Sequence, residues 1–358
     1  MRPPSRLVRL RAALTGRGLD ALVVGSSAGM RYLTGFTGSH GLLIVRGDAA
    51  ELLTDARYAV QAGQEMQEGA RCVIVAGSLP EAAGNLRLLR GCARSGFEDE
   101  EISLRDHRAL KKAFPRIRFR GIGGLLQGLS AVKDSGEIGA IAEAAGISDR
   151  VFADILPLVR PGVTELDLAA EIAYRHRKYG AEGDAFEPIV AAGERSAMPH
   201  AKASRARIRM GDLVVLDFGC TVRGYHSDLT RTVAVGRVPA RLKRIHRIVR
   251  DAQEEALGVV REGAAAADVD AAARRVIRRE GFGRYFPHSL GHGLGLQVHE
   301  RPRLAPLSPD VLTDGNVITV EPGIYLPGTG GVRIEDDVVV RGGTCEVLTI
   351  SPKELILL

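Results

Sequence analysis

The sequence predicts an α+β protein: a small α/β domain over residues 1–130, then a larger α+β domain over residues 131–358 with much antiparallel sheet. Three observations carry that expectation. At 358 residues the chain exceeds one ordinary domain. Its first third alternates short aliphatic runs with helix-like runs, as α/β layers do. Near residue 131 this regime gives way to a long helical stretch and then to apolar segments that end in acids. With 45% hydrophobic and 26% charged residues a sizeable core is expected, and aliphatic side chains must fill it because tryptophan is absent.

The elements follow in order. Leu7, Leu10 and Leu14 mark one face of an N-terminal helix that leads into a strand, Ala21 to Val24. GLLIV, AELLT and RCVIVAG read as further strands, with helices over ARYAVQAGQEMQEG and LPEAAGNLRLLRG. Asp134 or Ser135 can cap the helix that opens the second domain and runs to about residue 157. Thr164 and Asp167 begin another helix with the spacing of a capping box. Strands PIVAAG, DLVVLDFGC and LTRTVAVG come next, then helices over 240–262 and 266–281. NVITVE, GVRIEDDVVV and CEVLTI close the chain as strands.

Composition narrows the function. The net charge is +6, but the arginines are spread along the chain without interleaved aromatics, so no nucleic-acid partner is expected. Arg9, Arg11, Arg17 and Asp20 interrupt the apolar runs of the N-terminus, which argues against a signal peptide. No run approaches the roughly 20 residues of a membrane span. The four cysteines lie far apart and form no CxxC pair, as in a protein of a reducing compartment, and a cytoplasmic location is expected.

Two stretches carry the chemistry. In LVVLDFGCTVRGYHSDLTRT, Asp217 ends an apolar strand and Asp228 opens the next. If the chain turns at Arg223-Gly224, the two aspartates are diagonal neighbours, roughly 7–8 Å apart. In ITVEPGIYLPGTGGVRIEDD, Glu321 again ends an apolar strand, and Glu335 follows Arg333 at the spacing that shares a face. An arginine could neutralise such acids, with Arg223, Arg231 and Arg333 as candidates. Four gathered carboxylates can also be balanced by two divalent cations. HSLGHGLGLQVHE concentrates three of the nine histidines, and His292 is the natural fifth ligand. This oxygen-rich set suits Mn²⁺, Fe²⁺ or Co²⁺ better than structural zinc. Two such ions, about 3.5–4 Å apart, make a water acidic enough to attack a carbonyl, leaving the other imidazoles to handle substrate.

These motifs resemble, in order and over essentially the whole chain, the prolidase and aminopeptidase P branch of the pita-bread metallopeptidases. YLTGFTGSHG and LLTDARY resemble its N-terminal domain; AMPHA, LDFG, SDLTRT, HSLGHGLGLQVHE, EPGIY and GVRIEDD resemble its catalytic domain. The resemblance implies a dinuclear centre of Asp217, Asp228, His292, Glu321 and Glu335, with Glu321 also the candidate general base. It implies that His200 lies on the substrate side, that His288 binds substrate, and that His299 meets the carbonyl oxygen or tetrahedral intermediate. Arg333 resembles the arginine that pairs with the metal-binding carboxylates, and Tyr325 a tyrosine beside the site. His226 is expected to be structural, as are His40, His107, His176 and His246.

The implied activity is metal-dependent hydrolysis of the Xaa-Pro bond in peptides or dipeptides with proline second, by a homodimer. A creatinase-like hydrolase of the same fold does not keep the metal ligands, which are all present here. Methionine aminopeptidases normally lack an N-terminal domain of this size. A non-catalytic pita-bread binding module would be marked by lost ligands, and none is lost.

Overall fold

The computed structural model describes residues 5–358 except Glu68 and divides into two compact units, with the boundary between Ser130 and Ala131. In the first unit, α1 (Arg6–Gly16) buries Leu7, Leu10 and Leu14, and the Ser5 hydroxyl accepts from the Val8 amide at its N-terminus. The chain continues through β1 (Ala21–Val24), α2 (Ser27–Thr34), β2 (Leu42–Arg46), β3 (Ala50–Thr54), α3 (Ala59–Glu65), β4 (Arg71–Ile74), α4 (Leu79–Asn85), β5 (Arg94–Phe97), α5 (Leu104–Ala113), β6 (Arg118–Gly121) and α6 (Leu125–Ser130). The strands form one mixed sheet, β4-β3-β2-β1-β5-β6.

Two helices of this unit are shorter than their sequences suggest. The run from residue 56 opens as a 3-10 turn, Ala56–Tyr58, before α3, and Glu68 near its end lies outside the described residues. After α4, Arg87 adopts a positive φ of 55°, and the turn that results buries Leu88 and Leu89. The strands β5 and β6 carry little sequence signal: RSGF and RFRG are short and rich in arginine.

The second unit opens with α7 (Ser135–Ile155), capped by Asp134, which forms a reciprocal box with Glu137. The helix α8 (Glu165–Lys178) is capped the same way by Thr164 and Asp167. Then come β7 (Gly183–Asp184), β8 (Ile189–Ala192), β9 (Leu213–Phe218), β10 (Cys220–Val222), β11 (Tyr225–His226), β12 (Leu229–Ala234), α9 (Ala240–Leu257) and α10 (Ala266–Arg279). The chain ends with β13 (Gly291–Gly293), β14 (Glu300–Leu304), β15 (Val317–Val320), β16 (Gly323–Leu326), β17 (Gly330–Arg333), β18 (Asp336–Arg341) and β19 (Thr344–Val347).

Three sheets position the site: β12-β9-β8, the five-stranded β14-β13-β15-β18-β19, and the pair β16-β17. Alternation along β15 and β18 sends Ile318, Val320, Val338 and Val340 into a core shared with α9 and α10. Val317 and Val339 face a second core with Ile138 and Ile141 of α7. The run GVRIEDDVVV is not one strand. It leaves the β16 ladder after Arg333, bridges Thr230 through Glu335, and enters the five-stranded sheet at Asp336. That switch joins β12 to the five-stranded sheet at Glu335. No helix among the described residues is long and apolar enough to cross a membrane.

Candidate active site

Asp217 and Asp228 come from one hairpin. The turn is at Arg223 and Gly224, with φ of 48° and 72°, the conformation of a two-residue hairpin loop. Across β9 and β12, Asp217 pairs with Thr230, so Asp228 is its diagonal neighbour. His292 is the centre of β13, which is squeezed between β14 and β15. A Cβ on Gly291 would lie 2.0 Å from the Thr319 carbonyl oxygen, and one on Gly293 would lie 2.1 Å from that of Arg301. Only glycine fits on either side of His292. Glu321 follows β15 directly, and its amide donates to the Leu290 carbonyl at 2.8 Å.

Asp228, His292 and Glu335 converge, each offering a donor atom within 4.8 Å of the others. His292 Nε2 lies 3.9 Å from Asp228 Oδ2 and 3.4 Å from Glu321 Oε1. Its Nδ1 donates to the Gly293 carbonyl at 3.1 Å, which leaves the Nε2 lone pair facing the carboxylates. Burial, then the neighbouring His299, holds the His292 pKa down to about 4. Glu335 Oε2 accepts from the Thr230 hydroxyl at 2.6 Å. That hydroxyl in turn accepts from Arg333 Nε at 3.1 Å.

Asp217 stands slightly apart, paired with Arg333. Of the other candidate arginines, Arg223 pairs with Glu143 and Arg231 with Asp336, so Arg333 alone serves the cluster. Arg333 Nη1 also donates to the Tyr325 hydroxyl at 2.8 Å and to the Pro199 carbonyl at 3.2 Å. Tyr325 donates onward to His288 Nε2 at 2.9 Å, since His288 Nδ1 is committed to the Ser289 carbonyl at 2.8 Å. His288 is thereby a neutral tautomer, and burial followed by the charge of Arg333 holds its pKa down to about 4. Burial pushes the Tyr325 hydroxyl up to about 12.

His299 stacks edge-on to His292 with ring centroids 4.4 Å apart. Burial, then Arg303 and His200, lowers its pKa. His200 is exposed, and its imidazole has no hydrogen-bond partner among the described residues. It is close enough to disfavour charge on both His288 and His299. His226 lies outside this group, its Nδ1 on the Gly295 carbonyl at 2.9 Å. His176 bonds Asp184, and His107 stacks on Phe97.

A cation fits this donor set. Asp217 Oδ1 and Asp228 Oδ1 are buried without a hydrogen-bond partner. Asp228 and Glu321 are pushed well above the usual carboxylate range, by burial first and then by Glu335 beside them. Glu335 is raised to about 7 by burial and then by Asp217. Carboxylates so crowded, facing an imidazole lone pair, hold protons until a multivalent cation replaces them.

Several contacts that shape the site are set only by the tertiary structure. Asp337 is fully buried, and its Oδ2 accepts from the Asp228 amide at 2.9 Å. Arg231 donates to the carbonyls of Thr230 and Glu335 across the switch between sheets. Arg303 is opposite His292 in the β13–β14 ladder, and its guanidinium has no partner among the described residues. The second aspartate of IEDD and the arginine of SDLTRT were visible, but nothing local shows what they bind.

The chain matches the model of Metallopeptidase family M24 over residues 139–342 and that of the Creatinase/Prolidase N-terminal domain over residues 6–132. It is 41% identical to the uncharacterized peptidase YqhT of Bacillus subtilis, covering 99% of this chain and 100% of the relative. It is 35% identical to the Xaa-Pro dipeptidase of Pyrococcus furiosus, covering 98% and 99%. Among solved structures, the Xaa-Pro dipeptidase from Bacillus anthracis superposes with a TM-score of 0.95 at 41% identity, over 98% of this chain and 99% of that one. The X-Pro aminopeptidase from Thermotoga maritima gives 0.90 at 39% identity, over 99% and 100%. A creatinase-type N-terminal domain followed by a pita-bread catalytic domain with this carboxylate and histidine cluster makes the chain a member of metallopeptidase family M24.

Proposed function

We propose that this protein hydrolyses the bond between an N-terminal residue and proline, with two divalent ions held by Asp217, Asp228, His292, Glu321 and Glu335. The convergence of Asp228, His292 and Glu335 within 4.8 Å carries this reading. The Xaa-Pro dipeptidases that resemble the chain over nearly its whole length support the substrate class. When bound, the metal pair supplies Lewis acidity, which makes water a nucleophile near neutral pH and polarises the scissile carbonyl. The hard, oxygen-rich ligand set favours Mn²⁺, with Co²⁺ and Fe²⁺ as substitutes.

The chain's own groups do the rest. Glu321 takes a proton from the attacking water as its oxygen adds to the carbonyl carbon. As the C–N bond breaks, the same proton passes to the proline nitrogen. His299, neutral at working pH, donates to the oxyanion, while His288 and His200 hold the substrate. Arg333 orients Asp217, and the Ser289 carbonyl fixes the tautomer of His288, whose Nε2 accepts from Tyr325.

Arg303 favours dipeptides over longer peptides. It faces the same side as His292 from the neighbouring strand, and it disfavours charge on both His292 and His299. A guanidinium there matches the free carboxylate of a terminal proline, which a longer substrate replaces with an amide. We further infer a homodimer working in the cytoplasm. The family resemblance supports the dimer, and four unpaired cysteines support the compartment.

The test is hydrolysis of Ala-Pro and Ala-Pro-Ala by metal-stripped protein, with and without Mn²⁺, beside Asp228→Ala. Cleavage restored by metal and lost in the variant upholds the reading. Two bound ions without cleavage of either peptide would overturn the substrate, and absence of metal binding would overturn the centre.

A further inference from the structure

His200 has no side-chain partner of its own, so the backbone of its loop decides where the imidazole sits. That loop leaves β8 at Ala192 and returns toward α8 at Ser204, and both ends converge on one carboxylate. Glu165, the first residue of α8, is fully buried. Its Oε1 accepts from the Ala192 amide at 2.9 Å. Its Oε2 accepts from the Ser204 amide at 3.0 Å and the Ser204 hydroxyl at 2.6 Å. Arg195, within the loop, places Nε 3.0 Å from both oxygens and donates through Nη2 to the Lys202 carbonyl at 2.6 Å. One side chain thus closes the loop at its base and braces it from inside.

The far side of the loop is tied to the site. Gly331 of β17 donates its amide to Ser196 Oγ at 2.8 Å, and Arg333 donates to the carbonyl of Pro199, the residue before His200. A buried carboxylate that satisfies four donors from one loop is costly to desolvate and is compensated only if that loop keeps its shape. None of these contacts involves the carboxylates of the proposed metal centre.

We propose that Glu165 is a positioning residue for His200, setting the height of the substrate-side imidazole above the centre through the loop 193–203. The inference rests on the substrate-holding role proposed above for His200.

The experiment is a double-mutant cycle with Glu165→Gln and His200→Ala in the Mn²⁺-loaded protein, read as KM and kcat on Ala-Pro, with bound metal and thermal midpoint measured alongside. Glu165→Gln should raise KM about tenfold while kcat stays within about twofold and two ions remain bound. In the His200→Ala background it should change KM by less than about twofold, because the group it positions is gone. Hydrogen exchange across 193–203 should rise in the metal-free Glu165→Gln protein. If Glu165→Gln does not fold, Ser204→Ala removes one of the four donors and should show the same dependence on His200. If His200→Ala leaves KM unchanged, the role of His200 falls and this inference with it. If His200→Ala raises KM and Glu165→Gln multiplies that effect by its own full factor, only the role of Glu165 falls.

Discussion

Lys133 Nζ lies 2.9 Å from Glu300 Oε2, with the two side chains only 1% and 4% exposed. The other Glu300 oxygen accepts from the Gln297 amide at 3.0 Å, so the pair anchors the turn that carries His299. Lys133→Met would leave the carboxylate buried without its cation and should cost about 3–5 kcal/mol of stability. Adding Glu300→Gln should recover most of the loss. Urea unfolding of the single and double variants checks both parts, and a small loss in Lys133→Met would show that water reaches the pair.

Metal removal should be felt more strongly as pH rises. Asp228, Glu321 and Glu335 all have raised pKa values, so the unfolded chain gives up these protons at lower pH than the folded one. The metal-free fold therefore loses stability from about pH 4 towards pH 7, the value to which Glu335 is raised. Bound divalent ions remove that penalty. The drop in thermal midpoint on adding a chelator should be small at mildly acidic pH and larger above neutrality. An equal drop at both would contradict the crowding of these carboxylates.

His246 offers the opposite dependence away from the site. It is 4% exposed on α9, and burial followed by Arg250 depresses its pKa to about 4. The folded imidazole stays neutral while the unfolded one takes a proton below its ordinary value near 6.5. The stability linked to this group is intact above that value and is lost as pH falls to about 4, a total of about 3 kcal/mol. His246→Gln should flatten this part of the acid limb, measured as the unfolding free energy at neutral and acid pH. An unchanged slope would mean that the buried imidazole finds a route to solvent.

Arg303→Ala should separate the two candidate substrate lengths. With the terminal carboxylate unmatched, KM for Ala-Pro should rise about tenfold, while that for Ala-Pro-Ala should change little. Parallel steady-state kinetics on the two peptides measure the contrast. Equal losses on both would assign Arg303 to the electrostatics of His292 and His299 instead.

Most of the proposed metal ligands were legible because they stand where a local pattern marks them. Asp217 ends the apolar run LVVL, Glu321 ends the strand NVITV, Asp228 opens the strand LTRTVA, and His292 lies between glycines that a tight ladder needs. What escaped was set by position rather than pattern. GVRIEDDVVV reads as one strand by alternation, yet it changes sheets at Glu335 because that residue bridges to Thr230. The strands β5 and β6 escaped because each is only four residues long and lacks an apolar run of its own.

The sequence by itself determined the order of two domains, most of the apolar strands and the identities of the acids and imidazoles, because hydrophobic periodicity and turn residues act over a few positions. Only the tertiary structure decided which charges meet. Lys133 and Glu300 are 167 residues apart, Arg333 and Asp217 116, and Arg195 and Glu165 30. A buried charge takes whichever partner the packed sheets bring within reach, and its stability depends on desolvation that no short stretch of sequence encodes.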